Sequence, residues 1–129
     1  MRWSLRVLSL LLAGAAATMA MADDAALTGD AIKARFVGNT LRGTYPGGKA
    51  WAEFYDPSGE IRGHDDIDGS YRGHYTLGDS GICFDFDGTD QDFCGQVIDG
   101  AEGIRFTRNG KTITDIGHVI VVPGNPDNL

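Results

Sequence analysis

The fold is decided by residues 70–86, which read SYRGHYTL, GDSG and ICFDF in succession. In the first run, tyrosine and leucine at odd positions alternate with polar residues at even positions. In the last run, Ile82, Phe84 and Phe86 share one face. A period of two is typical of strands that bury one face and expose the other. Two such runs joined by a short glycine-bounded turn predict an antiparallel hairpin.

The same pattern of short strands separated by turns extends from this hairpin toward both ends of the chain. Asp56-Pro57-Ser58-Gly59 is a good turn sequence because proline suits its second position, and Asn109-Gly110 is typical of a tight hairpin turn. The predicted strands are Thr40–Tyr45, Lys49–Tyr55, Glu60–His64, Ser70–Leu77, Ile82–Phe86, Cys94–Ile98, Gly103–Thr107 and Lys111–Val122.

One short helix is predicted before the first strand, over roughly residues 29–37. Thr28 can cap it, Ile32 and Phe36 lie four residues apart on one face, and Gly38 can end it. About eight short strands with tight connections predict a mainly β fold. We expect an antiparallel meander, barrel-like or strongly curled, with the helix over one end or edge.

The first 22 residues have the parts of a secretory signal peptide. Arg2 and Arg6 precede the apolar run Val7–Ala17, and Ala20-Met21-Ala22 offers small residues for cleavage. As a helix the apolar run rises only about 16 Å, roughly half of a hydrocarbon core, so it is too short for an anchor. We therefore expect a periplasmic or secreted single domain of residues 23–129, with no membrane span after cleavage.

The charge of this domain limits its partners. It carries nine Lys and Arg against 18 Asp and Glu, a net charge of −9. Such a surface repels phosphate backbones, so we expect no nucleic-acid partner. It attracts basic proteins and cations, although acidity can also serve solubility alone. We expect a monomer.

Two cysteines, Cys83 and Cys94, fall on the more polar faces of neighbouring predicted strands. An even count in an oxidising compartment predicts a disulfide, with reactive or metal-binding thiols as the alternative. A bridge closing a loop of this size stabilises a protein by about 3 kcal/mol in the chain-entropy model.

Several aromatic, glycine and cysteine positions carry a resemblance. They are Leu41-x-Gly43, Trp51-x-x-Phe54-Tyr55 before Gly59, Tyr71-x-Gly73-x-Tyr75, and the pair Cys83 and Cys94. In this order they resemble a group of small exported proteobacterial β-rich proteins with one cysteine pair. These are residue types that build a fold, so the resemblance implies the fold and carries no activity.

A metal site is predicted where aspartates cluster. The candidate ligands are Asp85, Asp87, Asp90 and Asp92, which surround Gly88 between the two cysteines. Clustered carboxylates suit a hard cation such as calcium, although the spacing does not fit an EF-hand loop. A solvated acidic hairpin is the alternative. A second acidic turn contains Asp65, Asp66 and Asp68.

Three histidines, His64, His74 and His118, would form a zinc or copper site if they met on one face. His64 and His74 lie ten residues apart on adjacent predicted strands. Whether they share a face depends on the pairing register, which the sequence leaves open. Scattered surface histidines are the alternative.

Enzymatic motifs are absent from the sequence, which contains no Gly-x-Ser-x-Gly, His-Glu-x-x-His, phosphate loop or dinucleotide fingerprint. We therefore expect a non-catalytic binding module for a basic protein or a cation. A small hydrolase is one alternative, because carboxylates such as Glu53, Glu60 or Asp127 can pair in space.

The other alternative is a carrier of a small apolar ligand, because a barrel of about eight strands is either filled by side chains or holds one small molecule. Most of the aromatic residues fall on inward positions, where they would pack as a core or line such a cavity. They are Trp51, Phe54, Tyr55, Tyr71, Tyr75, Phe84, Phe86 and Phe106.

Overall fold

A computed structural model describes residues 25–129 of the chain, and the predicted signal peptide lies outside the described residues. The elements are α1 (Gly29–Phe36), β1 (Thr40–Thr44), β2 (Ala50–Tyr55), β3 (Glu60–Asp65), β4 (Gly69–Leu77), β5 (Ile82–Phe86), β6 (Phe93–Gly100), β7 (Gly103–Arg108), β8 (Lys111–Thr112) and β9 (His118–Val122).

These strands confirm the predicted antiparallel barrel and show that it is closed. Strands β1 to β7 pair in sequence order as a meander. Strand β9 lies between β1 and β7 and joins the two edges of that meander. Within residues 25–129 the ring therefore has eight strands, and β8 extends β7 as a short hairpin outside it.

The prediction of one strand over Lys111–Val122 was wrong. The Asn109-Gly110 turn is present, with both residues at positive φ, but the chain leaves the sheet after Thr112. Ile113 and Ile116, three residues apart, both pack against the core, which a strand period of two does not allow. The break lets β9 cross to β1, where it closes the barrel.

Three interior glycines each face an aromatic residue on the next strand. The pairs are Gly43 with Trp51, Gly63 with Tyr71, and Gly73 with Phe86. At Gly43 and Gly63 a Cβ atom would overlap the partner's ring, which lies across the glycine. Aromatic rings that cover a facing glycine replace the packing its missing side chain would supply. The abundant glycines thus give the rings room inside a narrow barrel.

The helix closes one end of the barrel. Thr28 caps it by accepting a hydrogen bond from the Ala31 backbone N–H at 3.2 Å. Ile32 and Phe36 are fully buried, and the Phe36 ring lies 5.4 Å from that of Tyr55. Within the described residues, no helix is long and apolar enough to cross a membrane.

Five of the eight aromatic residues considered for the interior belong to the buried core, namely Trp51, Tyr55, Tyr75, Phe84 and Phe106, and Phe86 packs against it. The Phe84 ring contacts those of Tyr55 and Phe106, at centroid distances of 6.3 Å and 5.6 Å. Phe54 instead lies on the outer face, where the Arg62 guanidinium covers its ring at 5.1 Å. The interior around these rings is therefore packed with side chains.

The predicted disulfide is present. Cys83 and Cys94 are directly opposed in the register of β5 and β6, and they are bonded. Both side chains lie on the outer face, because the neighbouring Ile82, Phe84 and Phe93 point inward. The bridge therefore clasps the hairpin from outside and takes no space in the core.

Replacing Gly43 with alanine tests the glycine–aromatic packing. The new methyl group would overlap the Trp51 indole, so we expect Gly43→Ala to lower the free energy of unfolding by about 1–3 kcal/mol, as overpacking does. Urea unfolding followed by circular dichroism measures the change. Gly78→Ala is the control, because its Cβ would meet only an ordinary contact at 3.9 Å, and it should change stability by less than about 0.5 kcal/mol. Equal losses in the two variants would contradict the packing argument.

Candidate functional site

The four aspartates predicted to bind a cation lie at the end of β5 and in the turn before β6, and residues 85–92 are named here the acidic hairpin. All four are exposed: Asp85, Asp87, Asp90 and Asp92. Because Cys83 pairs with Cys94, the next outward positions on the two strands are Asp85 and Asp92. The register therefore places these two carboxyl groups opposite each other on the outer surface.

Loss of solvent and like charge both disfavour ionisation of Asp92 in this pair. Local loss of solvent, followed by the adjacent Asp85 carboxyl, raises the pKa of Asp92 above its ordinary value. Two carboxyl groups in contact behave in this way because ionising both places two negative charges side by side. The contact follows from the strand register, so the folded backbone holds the charges together.

Two carboxylates on the neighbouring outer face, Glu60 and Asp56, are paired with arginines, unlike those of the acidic hairpin. Glu60 accepts a hydrogen bond from Arg72 at 2.8 Å, and Arg62 lies 3.2 Å from Asp56. Asp87, in contrast, faces His74 at 3.8 Å, and an imidazole is charged only when it is protonated. The acidic hairpin is therefore a concentrated negative surface.

The geometry of a calcium site is only partly assembled. Asp85 and Asp92 are brought together, whereas Asp87 turns toward His74. Within residues 25–129, no group of three His, Cys, Asp or Glu side chains is arranged closely enough to hold a metal ion. Calcium binding by the acidic hairpin stays a prediction.

In the second acidic turn, Asp65 has a structural role. Its carboxylate accepts hydrogen bonds from the backbone N–H groups of Ile67 at 2.9 Å and Asp68 at 2.6 Å. Burial acts to raise the pKa of Asp65, but these donors outweigh it and the pKa is lowered. Asp65 therefore stays ionised and holds the β3–β4 turn.

The three histidines lie on the outer face and are apart. The register pairs His64 with Ser70 and His74 with Glu60, so the two imidazoles share a face but lie at different ends of the hairpin. His118 pairs with Thr44, on the far side of β1 and β2. The register thus settles the question that the sequence left open.

His64 and His118 lie on opposite walls of a groove on the outer surface of the barrel. The groove has a volume of about 590 Å³ and is open to solvent. Its floor is shallow because the strands there carry small side chains, namely Thr44, Ala50 and Ala52. Ile120, whose side chain is 43% exposed, adds an apolar patch to one wall.

A buried carboxyl group lies inside the barrel at Glu53, which is 8% exposed. One carboxyl oxygen accepts a hydrogen bond from the Tyr71 hydroxyl at 2.7 Å, and the other accepts one from the Tyr55 hydroxyl at 2.8 Å. Tyr71 reaches Glu53 because its ring crosses Gly63. The alternation of Trp51, Glu53 and Tyr55 could have shown that Glu53 points inward.

The carboxylates considered for catalysis do not meet. Glu53 lies in the interior, and Glu60 pairs with Arg72 on the outer face. Asp127 accepts hydrogen bonds from two nitrogens of Arg42, at 2.9 Å and 2.6 Å. Each of the three carboxylates therefore has its own partner.

Comparison of the chain with protein-family models, with curated proteins and with solved structures finds no match. The resemblance to small exported β-rich proteins stays a prediction. The functional argument therefore rests on the geometry of the chain itself.

Neutralising Asp92 tests this carboxyl pair. The pKa of Asp92 is higher in the folded state than in the unfolded state. The contribution of Asp92 to stability is therefore complete below the unfolded pKa and is lost as pH rises through the folded pKa. We therefore expect Asp92→Asn to raise the thermal unfolding midpoint at pH 7 and to leave it nearly unchanged at pH 3. Asp90→Asn, on the same hairpin, is the control and should have the smaller effect at pH 7. A midpoint shift for Asp92→Asn that is the same at both pH values would contradict the interpretation.

Proposed function

We propose that the protein is an exported binding module, periplasmic or secreted, that recognises a basic protein through the acidic hairpin and does not act as an enzyme. The observation that carries the proposal is the placing of Asp85 opposite Asp92, one outward position beyond the Cys83–Cys94 disulfide. Negative charge is concentrated there on a backbone that cannot easily spread it apart.

The rigidity of the acidic hairpin favours binding. The disulfide lies one outward position from the carboxyl pair and joins strands that belong to a closed barrel. A surface already held in its bound shape loses less conformational entropy when a partner docks. A lysine or arginine placed at the pair would offset the repulsion between the two carboxylates.

A basic protein fits the acidic hairpin better than a single metal ion does. Calcium takes six to eight oxygen ligands around one point. Three of the aspartates instead do not converge on one point, because Asp87 faces His74 whereas Asp85 and Asp92 oppose each other across the hairpin. Several cationic side chains spread over a protein surface can each meet a separate carboxylate. Such a complex associates quickly and weakens as salt is added.

A second candidate function is the binding of a small apolar ligand. The aromatic residues that would line an internal cavity pack on one another, so the interior gives this function little support. The outer groove of about 590 Å³ favours it, because that volume is typical of ligand sites and Ile120 offers an exposed apolar contact.

Two variants of equal net charge test the basic-partner proposal. The first replaces Asp85, Asp87, Asp90 and Asp92 with asparagine. The second replaces Asp66, Asp68, Asp79 and Asp115, which are exposed elsewhere on the surface. Calorimetric titration with a ten-residue lysine peptide at two salt concentrations compares both with the original protein. We expect the first variant to lose at least about tenfold in affinity, equivalent to about 1.4 kcal/mol, and the second to lose much less.

The outcomes separate local recognition from overall charge. Equal losses in the two variants would contradict the proposal, because net charge alone would then govern the attraction. Peptide binding that is insensitive to salt would also contradict it. A third variant, Cys83→Ser with Cys94→Ser, keeps every charge but removes the clasp, and we expect it to bind more weakly at a temperature where circular dichroism shows it folded.

A further inference from the structure

We infer that the interior of the barrel is a proton-binding site, in which Glu53 is held as a neutral acid between Tyr55 and Tyr71, so that the folded chain loses stability as this proton leaves. The site is a cluster of groups on three strands. Glu53 and Tyr55 lie on β2, Tyr71 lies on β4, and Asp65 lies between them on β3. Two hydrogen bonds, at 2.7 Å and 2.8 Å, join the carboxyl group to the phenols.

The surroundings of Glu53 favour the neutral form. Removing a carboxylate from water costs several kcal/mol unless strong partners replace the lost hydration. Tyr55 and Tyr71 donate one hydrogen bond each, and neither carries a charge that would balance an ionised glutamate. A phenol can also accept, so a protonated Glu53 can donate its O–H to one tyrosine and accept from the other. The same geometry therefore satisfies the neutral acid.

The nearby ionised carboxylate is Asp65, whose negative charge raises the pKa of Glu53. Asp65 is 8% exposed and is kept ionised by the N–H groups of its turn and by the Tyr45 hydroxyl at 3.4 Å. On the two flanking strands Glu53 is paired with Leu41 and Gly63, which carry no charge. Asp65 therefore carries the interior negative charge, and its presence disfavours a second one at Glu53.

The directions of the pKa shifts agree with an ionised Asp65 beside a neutral Glu53. Burial raises the pKa of Glu53; the phenol hydrogen bonds oppose that rise, and Asp65 adds to it. Burial, together with the nearby carboxylates, raises the pKa of Tyr45 to about 12 and also raises the pKa values of Tyr55 and Tyr71. The three phenols thus stay neutral through the range in which Glu53 titrates.

The stability contribution of Glu53 changes with pH in the opposite direction from those of Asp56, Asp65 and Asp127. Because its folded-state pKa is raised, its contribution is complete below the unfolded pKa and is lost as pH rises through the folded pKa. Asp56, Asp65 and Asp127 have lowered pKa values, so their contributions are present above the unfolded pKa and are lost as pH falls. A comparison between variants is needed to separate the two effects.

Direct titration tests the protonation state. The sequence contains three glutamates, Glu53, Glu60 and Glu102, so selective ¹³C labelling of glutamate gives three side-chain carboxyl signals. We expect one signal, absent from Glu53→Gln, to titrate at higher pH than the other two. Tyr71→Phe removes a hydrogen bond to the ionised form and should move that signal to still higher pH, whereas Asp65→Asn should move it lower. Three signals that titrate together in the ordinary range would overturn the inference.

Unfolding by urea across pH 4 to 8 provides the second test. The folding equilibrium constant of Glu53→Gln, divided by that of the original protein, should rise with pH by about tenfold for each unit by which the pKa of Glu53 exceeds its unfolded value. A ratio that does not change with pH would overturn the inference. If Glu53→Gln does not fold, the two shifts expected for Tyr71→Phe and Asp65→Asn still decide the question.

Discussion

The structure depends on the space inside an eight-stranded barrel, which side chains just fill. Rings as large as those of Trp51 and Tyr71 fit there because the facing positions are Gly43 and Gly63. The glycines contribute no side-chain packing themselves, and the facing rings fill that space. The same arrangement carries the Tyr71 hydroxyl across β3 to the interior of β2, where it meets Glu53. A fold requirement thereby creates the chemical environment of the buried acid.

Two classes of carboxyl group are separated by the wall of the barrel. Inside, Glu53 meets neutral phenols at low exposure, where an ionised group is costly. Outside, the aspartates of the acidic hairpin are exposed to water, where ionisation costs little, and local loss of solvent together with the facing Asp85 raises the pKa of Asp92. The strand period of two assigns each residue to one of these environments, so adjacent positions along a strand can differ sharply in their electrostatics.

Much of this arrangement can be predicted from the sequence, and the remainder depends on distant parts of the chain. Alternation predicts the strands around residues 70–86, and the cysteine positions predict the register that brings Asp85 to Asp92. The interruption within 111–122 is not visible locally, because its isoleucine and threonine residues suit a strand as well as a loop; closure of the barrel requires it. The partnership of Glu53 with Tyr71 depends on two strand registers at once, which no local pattern contains.

The position of β9 has a consequence for how the chain acquires its shape. The strand that begins the meander, β1, pairs with a strand near the other end of the described chain, so ring closure joins residues distant in sequence. Folds dominated by such contacts form slowly, because the entropy of a long loop is lost before the contact is gained. Until β9 docks, β1 and β7 are unprotected edges able to pair with other chains. Crowded, partly folded molecules would therefore aggregate through these two strands, and early docking of β9 would be the step that prevents it.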